Sequence, residues 1–179
     1  FILQGLSAFA GRDLELDEGV YASEMETNMR NRSIARLLQS YGHITVDPAR
    51  VIALYTRQCS LRVTTEDLAI MGATLANGGV HPITGTQVVS ADVSRDVLSV
   101  MASTGMYEAS GDWLFEIGMP GKSGVAGGIV TIAPGKGSLA TFSPPLDAAG
   151  NSVRGIHATR HLSHKLGLNL FSSTDRARQ

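Results

Sequence analysis

A chain of 179 residues, of which 43% are hydrophobic and 17% charged, is long enough to bury one hydrophobic core without disulfide or metal cross-links. Its formal net charge of −1 predicts no basic face, which argues against nucleic acid or an anionic membrane as a partner. The single cysteine, Cys59, excludes a disulfide within the chain, and its helical pattern favours a buried structural thiol. No run is long and apolar enough to span a membrane and no signal peptide is recognised, which favours a cytoplasmic protein.

The first part of the chain carries helical patterns. The opening run FILQGLSAFAG predicts the last turns of a helix that starts further upstream. Four further helices are predicted, each opened by a residue that can cap a helix N-terminus. These residues are Asp17, Asn28, Asp47 and Thr64. The Asn28 helix has the apolar stripe Ile34, Leu37, Leu38 and Tyr41, and one more helix is predicted over 90–103.

Beyond residue 104 the pattern changes. The runs WLFEIGMP, GVAGGIVTIAP and GSLATFSPPLD are separated by glycine, proline and lysine, which predicts three strands of an antiparallel meander. The run SVRGIHATRHLSHKLGLNLF then returns to helical spacing. This order predicts an α+β fold, with a mainly helical lobe over about 1–104 and a β-meander with a C-terminal helix over about 105–171.

The stretch MPGKSGVAGG, residues 119–128, places one of only three lysines beside a serine and among four glycines. Glycine weakens a strand, and it is expected where a bulge or a ligand requires a bare backbone. A bulged edge strand with a solvated lysine is the structural interpretation of Lys122, Ser123 and Gly124. The functional interpretation is the Lys-[Thr/Ser]-Gly element of serine β-lactamases and penicillin-binding proteins, whose strand supplies a positive charge and an oxyanion-hole N–H.

Four stretches of the chain match one known family in the same order. They are SEMETNMRNRSIA, LYTRQCSL, ATLANGGVHPITG and the long run GMYEASGDWLFEIGMPGKSGVAGGIVTIAPGKGSLATFSPPLDAAGNSVRG. Together they resemble the serine-dependent glutaminases from about Val20 to about Phe171. The resemblance implies a serine β-lactamase-like fold, with a helical lobe and an antiparallel sheet flanked by helices. It also implies hydrolysis of L-glutamine to L-glutamate and ammonia.

The resemblance assigns substrate contacts to the helical region. Glu24 and Asn31 match the glutamate and asparagine that hold the amino-acid end of glutamine, and Tyr55 matches a tyrosine that points at the bound amino acid. The chemistry is reasonable, because a carboxylate attracts the α-ammonium group and an amide can donate to the α-carboxylate. Without the resemblance, these residues would be interpreted as a solvated helix charge, a helix cap and a core side chain.

The resemblance assigns catalytic groups to the glycine-rich region. Tyr107 matches a tyrosine that stands close to the nucleophile and helps proton transfer. Val125 matches a residue whose backbone N–H contributes to the oxyanion hole, and both residues are expected to contact the substrate. Lys122 and Ser123 match a Lys-Ser pair that supports the hydrogen-bond network around the nucleophile.

The nucleophile of that family, a serine in Ser-x-x-Lys, has no match in the chain. The residues three places before the three lysines are Met119, Ala133 and Leu162. Ser123 is not an obvious substitute, because Lys122 is its neighbour and consecutive strand side chains point to opposite faces. We therefore expect the chain to be the C-terminal portion of a single catalytic domain, and to be inactive without the N-terminal part.

In the implied mechanism, the absent serine attacks the side-chain amide of glutamine, and its own N–H and that of Val125 hold the oxyanion. Ammonia leaves with a proton from the lysine or from Tyr107, and water then hydrolyses the ester.

No metal or organic cofactor is needed. His157, His161 and His164 share a helical face without an H-E-x-x-H motif or an acidic cluster, which favours histidines on a partly buried face over metal ligands.

The implied partner is the small-molecule substrate L-glutamine, with no nucleic acid and no membrane, in a homodimer or homotetramer. One alternative is another β-lactamase-fold amidohydrolase, acting on asparagine or a cell-wall peptide. The other is a non-catalytic relative that kept the ligand pocket. The presence of Glu24, Asn31, Tyr55 and Tyr107 together argues against this second alternative, because packing alone would not require all four.

Overall fold

The structure is a computed structural model that describes residues 1–172. Two compact units are found along the chain. The first contains residues 1–7 and 12–63, and the second contains residues 8–11 and 64–172.

The first unit is built mainly of helices. Its elements in chain order are α1 (Ile2–Ala10, whose last residues belong to the second unit), β1 (Glu15–Leu16), α2 (Glu18–Thr27), α3 (Met29–Ser40), α4 (Pro48–Cys59) and β2 (Leu61–Arg62). The strands β1 and β2 pair antiparallel, and both α2 and α3 pack against α4. Two predicted caps are confirmed, because Asp17 accepts a hydrogen bond from the N–H of Val20 and Asp47 accepts one from the N–H of Ala49.

Asn28 separates α2 from α3 and anchors the junction to α4. Its side chain is buried, and its amide nitrogen lies 3.4 Å from the hydroxyl oxygen of Thr56 on α4. Its amide oxygen accepts a hydrogen bond of 2.7 Å from Nε of Arg32. The break at Asn28 places Glu24 and Asn31 on consecutive helices rather than on one continuous helix.

The prediction that Cys59 is buried is wrong, because this side chain is exposed. The buried side of this segment follows four-residue steps through Ile52, Thr56 and Ser60, and Cys59 lies outside that line. On α3 the buried residue is Ala35. The apolar stripe of that helix, Ile34, Leu37, Leu38 and Tyr41, is exposed.

The second unit combines helices with an antiparallel sheet. Its elements are α5 (Thr65–Ala76), α6 (Ala91–Thr104), a short 3-10 turn (Tyr107–Ala109), α7 (Ser110–Glu116), β3 (Gly121–Ser123), β4 (Gly128–Ala133), β5 (Gly137–Phe142) and α8 (Val153–Leu166). The strand order is β3-β4-β5. The predicted start of α5 is confirmed, because Thr64 and Asp67 form a reciprocal capping box.

Helices cover both faces of this sheet. Ser138 of β5 donates a hydrogen bond to the carbonyl of Ala69 on α5, and it stands opposite Ile132 of β4. Ile129, three residues before Ile132 and therefore on the other face, belongs to the core cluster against which Ile156 of α8 packs. Because α5 packs on the sheet, it belongs to the second unit, and the two units divide near residue 63. The sequence pattern had placed the boundary between the helical lobe and the β-meander near residue 104.

The predicted meander has three antiparallel strands, but its first strand is β3 and not WLFEIGMP. That run forms part of α7 and the segment after it. Trp113 and Ile117 are buried in the core four residues apart, and the indole N–H of Trp113 donates to the carbonyl of Met119 at 2.8 Å. A short apolar run fits both a helix and a strand, which explains the error. Lys122 and Ser123 consequently lie within β3, the first strand of the sheet.

The histidines of α8 are exposed, so the prediction of a partly buried histidine face is wrong. The buried face of this helix consists of Gly155, Thr159 and Ser163. Within residues 1–172, no group of three His, Cys, Asp or Glu side chains is arranged to hold a metal ion. None of the helices in the same part of the chain is long and apolar enough to cross a membrane.

Candidate active site

In β3 the side chains of Lys122 and Ser123 point to opposite faces, because consecutive side chains of a strand alternate. The Lys122 side chain is on the exposed side, whereas Ser123 is buried and only 3% exposed. The ammonium group of Lys122 donates a hydrogen bond to the carbonyl of Ser123. Among the described residues, the hydroxyl oxygen of Ser123 has no hydrogen-bond partner, so it is available to another group.

Gly105 lets the segment before Tyr107 lie directly against β3. The N–H of Ser123 donates to the carbonyl of Gly105 at 3.1 Å. A Cβ atom at residue 105 would lie 1.8 Å from the carbonyl oxygen of Gly121, so only glycine fits there. This contact brings the 3-10 turn that starts at Tyr107 to the side of the lysine strand.

The backbone of Tyr107 has an unusual conformation, with a φ of +55°. Such values are uncommon for residues other than glycine, and they are worth attention near a functional site. Ser110 supports this turn from within, because its hydroxyl donates to the carbonyl of Tyr107 at 2.7 Å and accepts from the N–H of Met106 at 3.1 Å. The Tyr107 side chain is 38% exposed, so its ring can reach both protein and solvent.

Tyr107, Lys122 and Ser123 meet at one place. The ammonium nitrogen of Lys122 lies 4.8 Å from the centre of the Tyr107 ring, which is within the range of a cation–π contact. The phenol oxygen of Tyr107 lies 3.4 Å from the carbonyl oxygen of Ser123. Partial burial lowers the pKa of Lys122. A lysine and a phenol in contact are two groups that can take part in general acid–base catalysis.

Val125 lies in the turn between β3 and β4. The N–H of Gly127 donates to the carbonyl of Gly124 at 2.9 Å and closes this turn, which leaves the Val125 side chain 72% exposed. Within residues 1–172, the backbone N–H of Val125 has no acceptor. A Cβ atom at Gly150 would lie 3.7 Å from the Tyr107 ring and 3.9 Å from the Val125 side chain, so both residues border the same glycine.

The three predicted substrate contacts lie on three helices of the first unit. Glu24 is exposed on α2, Asn31 is half-buried on α3, and Tyr55 is 51% exposed on α4. Because α2 and α3 both pack against α4, these residues belong to one helical cluster. The interpretation of Tyr55 as a core side chain does not agree with its exposure.

The sequence reasoning missed two polar residues of the second unit, Ser110 and Asn151. Asn151 is completely buried, and its amide nitrogen lies 3.3 Å from the carbonyl oxygen of Met106. The motif Asp-x-x-Gly-Asn around Asn151 indicates a tight turn, but nothing local indicates a partner 45 residues away. Ser110 is four residues from Met106, and its local bonds are typical of a serine in a turn.

Known proteins match nearly the whole chain. The family model for glutaminase matches residues 1–171. Glutaminase 2 of Yersinia pestis is 58% identical over 97% of this chain, and the glutaminase of Mycobacterium ulcerans is 50% identical over 96% of it. The chain spans about half the length of the curated relatives it matches, 51% and 53% for these two.

Solved structures agree with these sequence matches. The crystal structure of Mglu in its glutamate form has a TM-score of 0.92 and 46% identity, covering 97% of this chain and 40% of that one. A solved chain described as "Probable glutaminase ybaS" has a TM-score of 0.93 and 45% identity, covering 96% of this chain and 55% of that one. The α+β fold is therefore that of the glutaminases. The chain belongs to the glutaminase family.

Proposed function

We propose that this chain is the C-terminal portion of an enzyme that hydrolyses L-glutamine to L-glutamate and ammonia. The observation that carries the proposal is the contact of Tyr107 with Lys122 and Ser123 in a chain of this family. Val125 follows two residues after Ser123, and within residues 1–172 its N–H has no acceptor. A cation, a phenol and an N–H donor are the groups that acyl transfer from an amide requires besides a nucleophile. The nucleophile itself is a serine of Ser-x-x-Lys that this chain does not contain.

In the proposed reaction, that serine attacks the side-chain carbonyl carbon of glutamine and gives its proton to the lysine of its own motif. The N–H of Val125 donates to the oxyanion as the tetrahedral intermediate forms. The C–N bond breaks, and the leaving nitrogen takes a proton from the lysine or from Tyr107, which releases ammonia. Water then attacks the γ-glutamyl ester and releases glutamate and the free serine.

Glu24, Asn31 and Tyr55 are proposed to select a free amino acid. The carboxylate of Glu24 attracts the α-ammonium group, whereas the amide of Asn31 can donate to the α-carboxylate. Such contacts favour glutamine over glutamine within a peptide, whose α-nitrogen carries no charge. The reaction needs no metal and no organic cofactor. We further propose that the whole protein is a cytoplasmic homodimer or homotetramer, as the resemblance implies.

A completed protein tests the role of Tyr107. The part of Yersinia pestis Glutaminase 2 that lies outside the matched region would be joined to this chain, and ammonia release from glutamine would be measured. Changing Tyr107→Phe keeps the ring over Lys122 but removes the proton, so we expect kcat to fall by about 100-fold or more. An unchanged kcat would contradict the proposed proton transfer.

The same completed protein tests the role of Glu24. Changing Glu24→Gln removes the charge that attracts the α-ammonium group, so we expect KM for glutamine to rise about tenfold. The matched control is Glu26→Gln, which removes a neighbouring exposed carboxylate of α2 and should leave KM unchanged. Nα-acetylglutamine has no α-ammonium group, so it should be a poor substrate for the unmodified protein. Faster hydrolysis of asparagine or of a cell-wall peptide than of glutamine would favour another amidohydrolase.

A further inference from the structure

The segment between β5 and α8 forms a closed turn. The N–H of Asp147 donates to the carbonyl of Asn151 at 2.8 Å. The carboxylate of Asp147 accepts from the N–H groups of Ala149 at 3.0 Å and of Asn151 at 2.9 Å. Gly150 adopts a φ of +94°, a conformation that residues with a side chain rarely adopt. These hydrogen bonds within the turn fix its backbone shape. We call residues 147–151 the Asp-Asn turn.

The Asp-Asn turn lies against the candidate active site. Gly150 borders the ring of Tyr107 and the side chain of Val125, as described above. Asn151, next in the chain, is completely buried and directs its amide group at the carbonyl of Met106 at 3.3 Å. The same turn therefore lies near the side chain of Tyr107 and contacts the backbone just before it.

The carbonyl of Met106 belongs to the peptide group that also contains the nitrogen of Tyr107. The φ angle of Tyr107 is the rotation between that peptide plane and the rest of the residue. A hydrogen bond that holds the Met106 carbonyl therefore opposes rotation of Tyr107 away from its φ of +55°. This conformation costs a residue with a Cβ atom about 1 kcal/mol or more, so it needs such support.

We propose that Asn151 is a positioning residue for Tyr107, holding the phenol in place beside Lys122 through the Met106 carbonyl. Gly150 contributes to this support by allowing the φ of +94° that the Asp-Asn turn adopts next to Asn151. The importance of this support for catalysis rests on the proposed function. The geometry itself can be tested without any activity.

The three lysines of the chain make this geometry measurable by NMR. The end of the Lys122 side chain lies over the Tyr107 ring, so the ring current displaces its ε-methylene signal from the usual position. Loss of one signal in Lys122→Arg identifies that signal. The signal in Tyr107→Leu, which has no aromatic ring, defines the value without the ring current.

We expect Asn151→Ala to move the Lys122 signal most of the way to the Tyr107→Leu value. Asn151→Asp keeps the shape of the side chain but removes the N–H donor, and it should move the signal in the same direction. The matched control is Ser163→Ala. It removes another buried side-chain donor to a backbone carbonyl, that of Ile117 at 2.7 Å, and should leave the Lys122 signal in place.

The proposal is overturned if Asn151→Ala or Asn151→Asp folds and keeps the Lys122 signal, or if Ser163→Ala moves it equally. If Asn151→Ala does not fold, Asn151→Asp decides the question. If that variant does not fold either while Ser163→Ala does, Asn151 is a general structural residue and the proposal fails.

In the completed protein, Asn151→Asp should lower kcat more than it changes KM. If Asn151→Ala moves the Lys122 signal but the unmodified completed protein does not hydrolyse glutamine, the proposed function is contradicted and the positioning role stays intact.

Discussion

Lys122 combines a positive charge with partial burial against Tyr107. Burial disfavours its charged form, so its pKa in the folded protein lies below the ordinary value of about 10.4 for lysine. Between the lowered pKa and the ordinary one, the unfolded chain binds more protons than the folded chain. The free energy of unfolding therefore rises with pH across that interval, because the cost of holding a partly desolvated charge disappears.

Changing Lys122→Met removes this titration. We expect the free energy of unfolding of the original protein, relative to the variant, to increase as the pH rises to about 10.4. Urea unfolding at several alkaline pH values measures the difference. Lys165→Gln, which removes the same charge from an exposed site on α8, is the control for net charge. A difference that stays constant or decreases with pH would contradict the assigned burial of the ammonium group.

Single residues also show what the sequence predicts and what it cannot. The opposite orientation of Lys122 and Ser123 follows from the period of a strand and is confirmed. The contact of Tyr107 with Lys122 and the bond from Asn151 to Met106 join residues that are far apart in the sequence. These contacts depend on how the chain packs, so no local sequence pattern predicts them.

Among the elements, α5 has the most complete N-terminal signal. The hydroxyl of Thr64 accepts from the N–H of Asp67 at 3.1 Å, and the Asp67 carboxylate accepts from the N–H of Thr64 at 2.7 Å. These two bonds satisfy donors that a helix start leaves unpaired. Because α5 covers one face of the sheet, its start contributes to the stability of the second unit.

We expect Thr64→Ala to lower the free energy of unfolding of the second unit by about 1 kcal/mol, and Thr64→Ser to change it much less. Fluorescence of the single tryptophan, Trp113, reports on this unit during urea unfolding. The control is Thr65→Ala, an exposed neighbouring position within the helix. Equal destabilisation by Thr64→Ala and Thr65→Ala would show that the capping box does not stabilise the helix.

Elements were predicted best where local chemistry defines them. The caps at Asp17, Asp47 and Thr64 are confirmed, because each side chain bonds to a backbone N–H two or three residues away. The interpretation of WLFEIGMP as a strand failed, because Trp113 and Ile117 are placed by the core and not by a local signal. Burial of Cys59 failed for a related reason, since Ser60 takes the inward position.

At the scale of the whole molecule, the sequence predicts the family more securely than the division of the chain. The matches to glutaminases confirm the resemblance that was based on four motifs. The sequence pattern suggested a change of lobe near residue 104, yet α5 and α6 belong to the unit that contains the sheet. The sequence of a helix shows which of its faces is apolar, but it does not show which element that face packs against.

The central claim is that this chain supplies the oxyanion, proton-transfer and substrate-binding groups of a glutaminase whose nucleophile lies in sequence that the chain does not contain. The most direct measurement is ammonia release from glutamine by the chain alone and by the completed protein, at equal concentration. We predict no release above the uncatalysed rate for the chain alone, and turnover once the Ser-x-x-Lys segment is joined to it. Turnover by the chain alone would contradict the account, because another residue would then be the nucleophile.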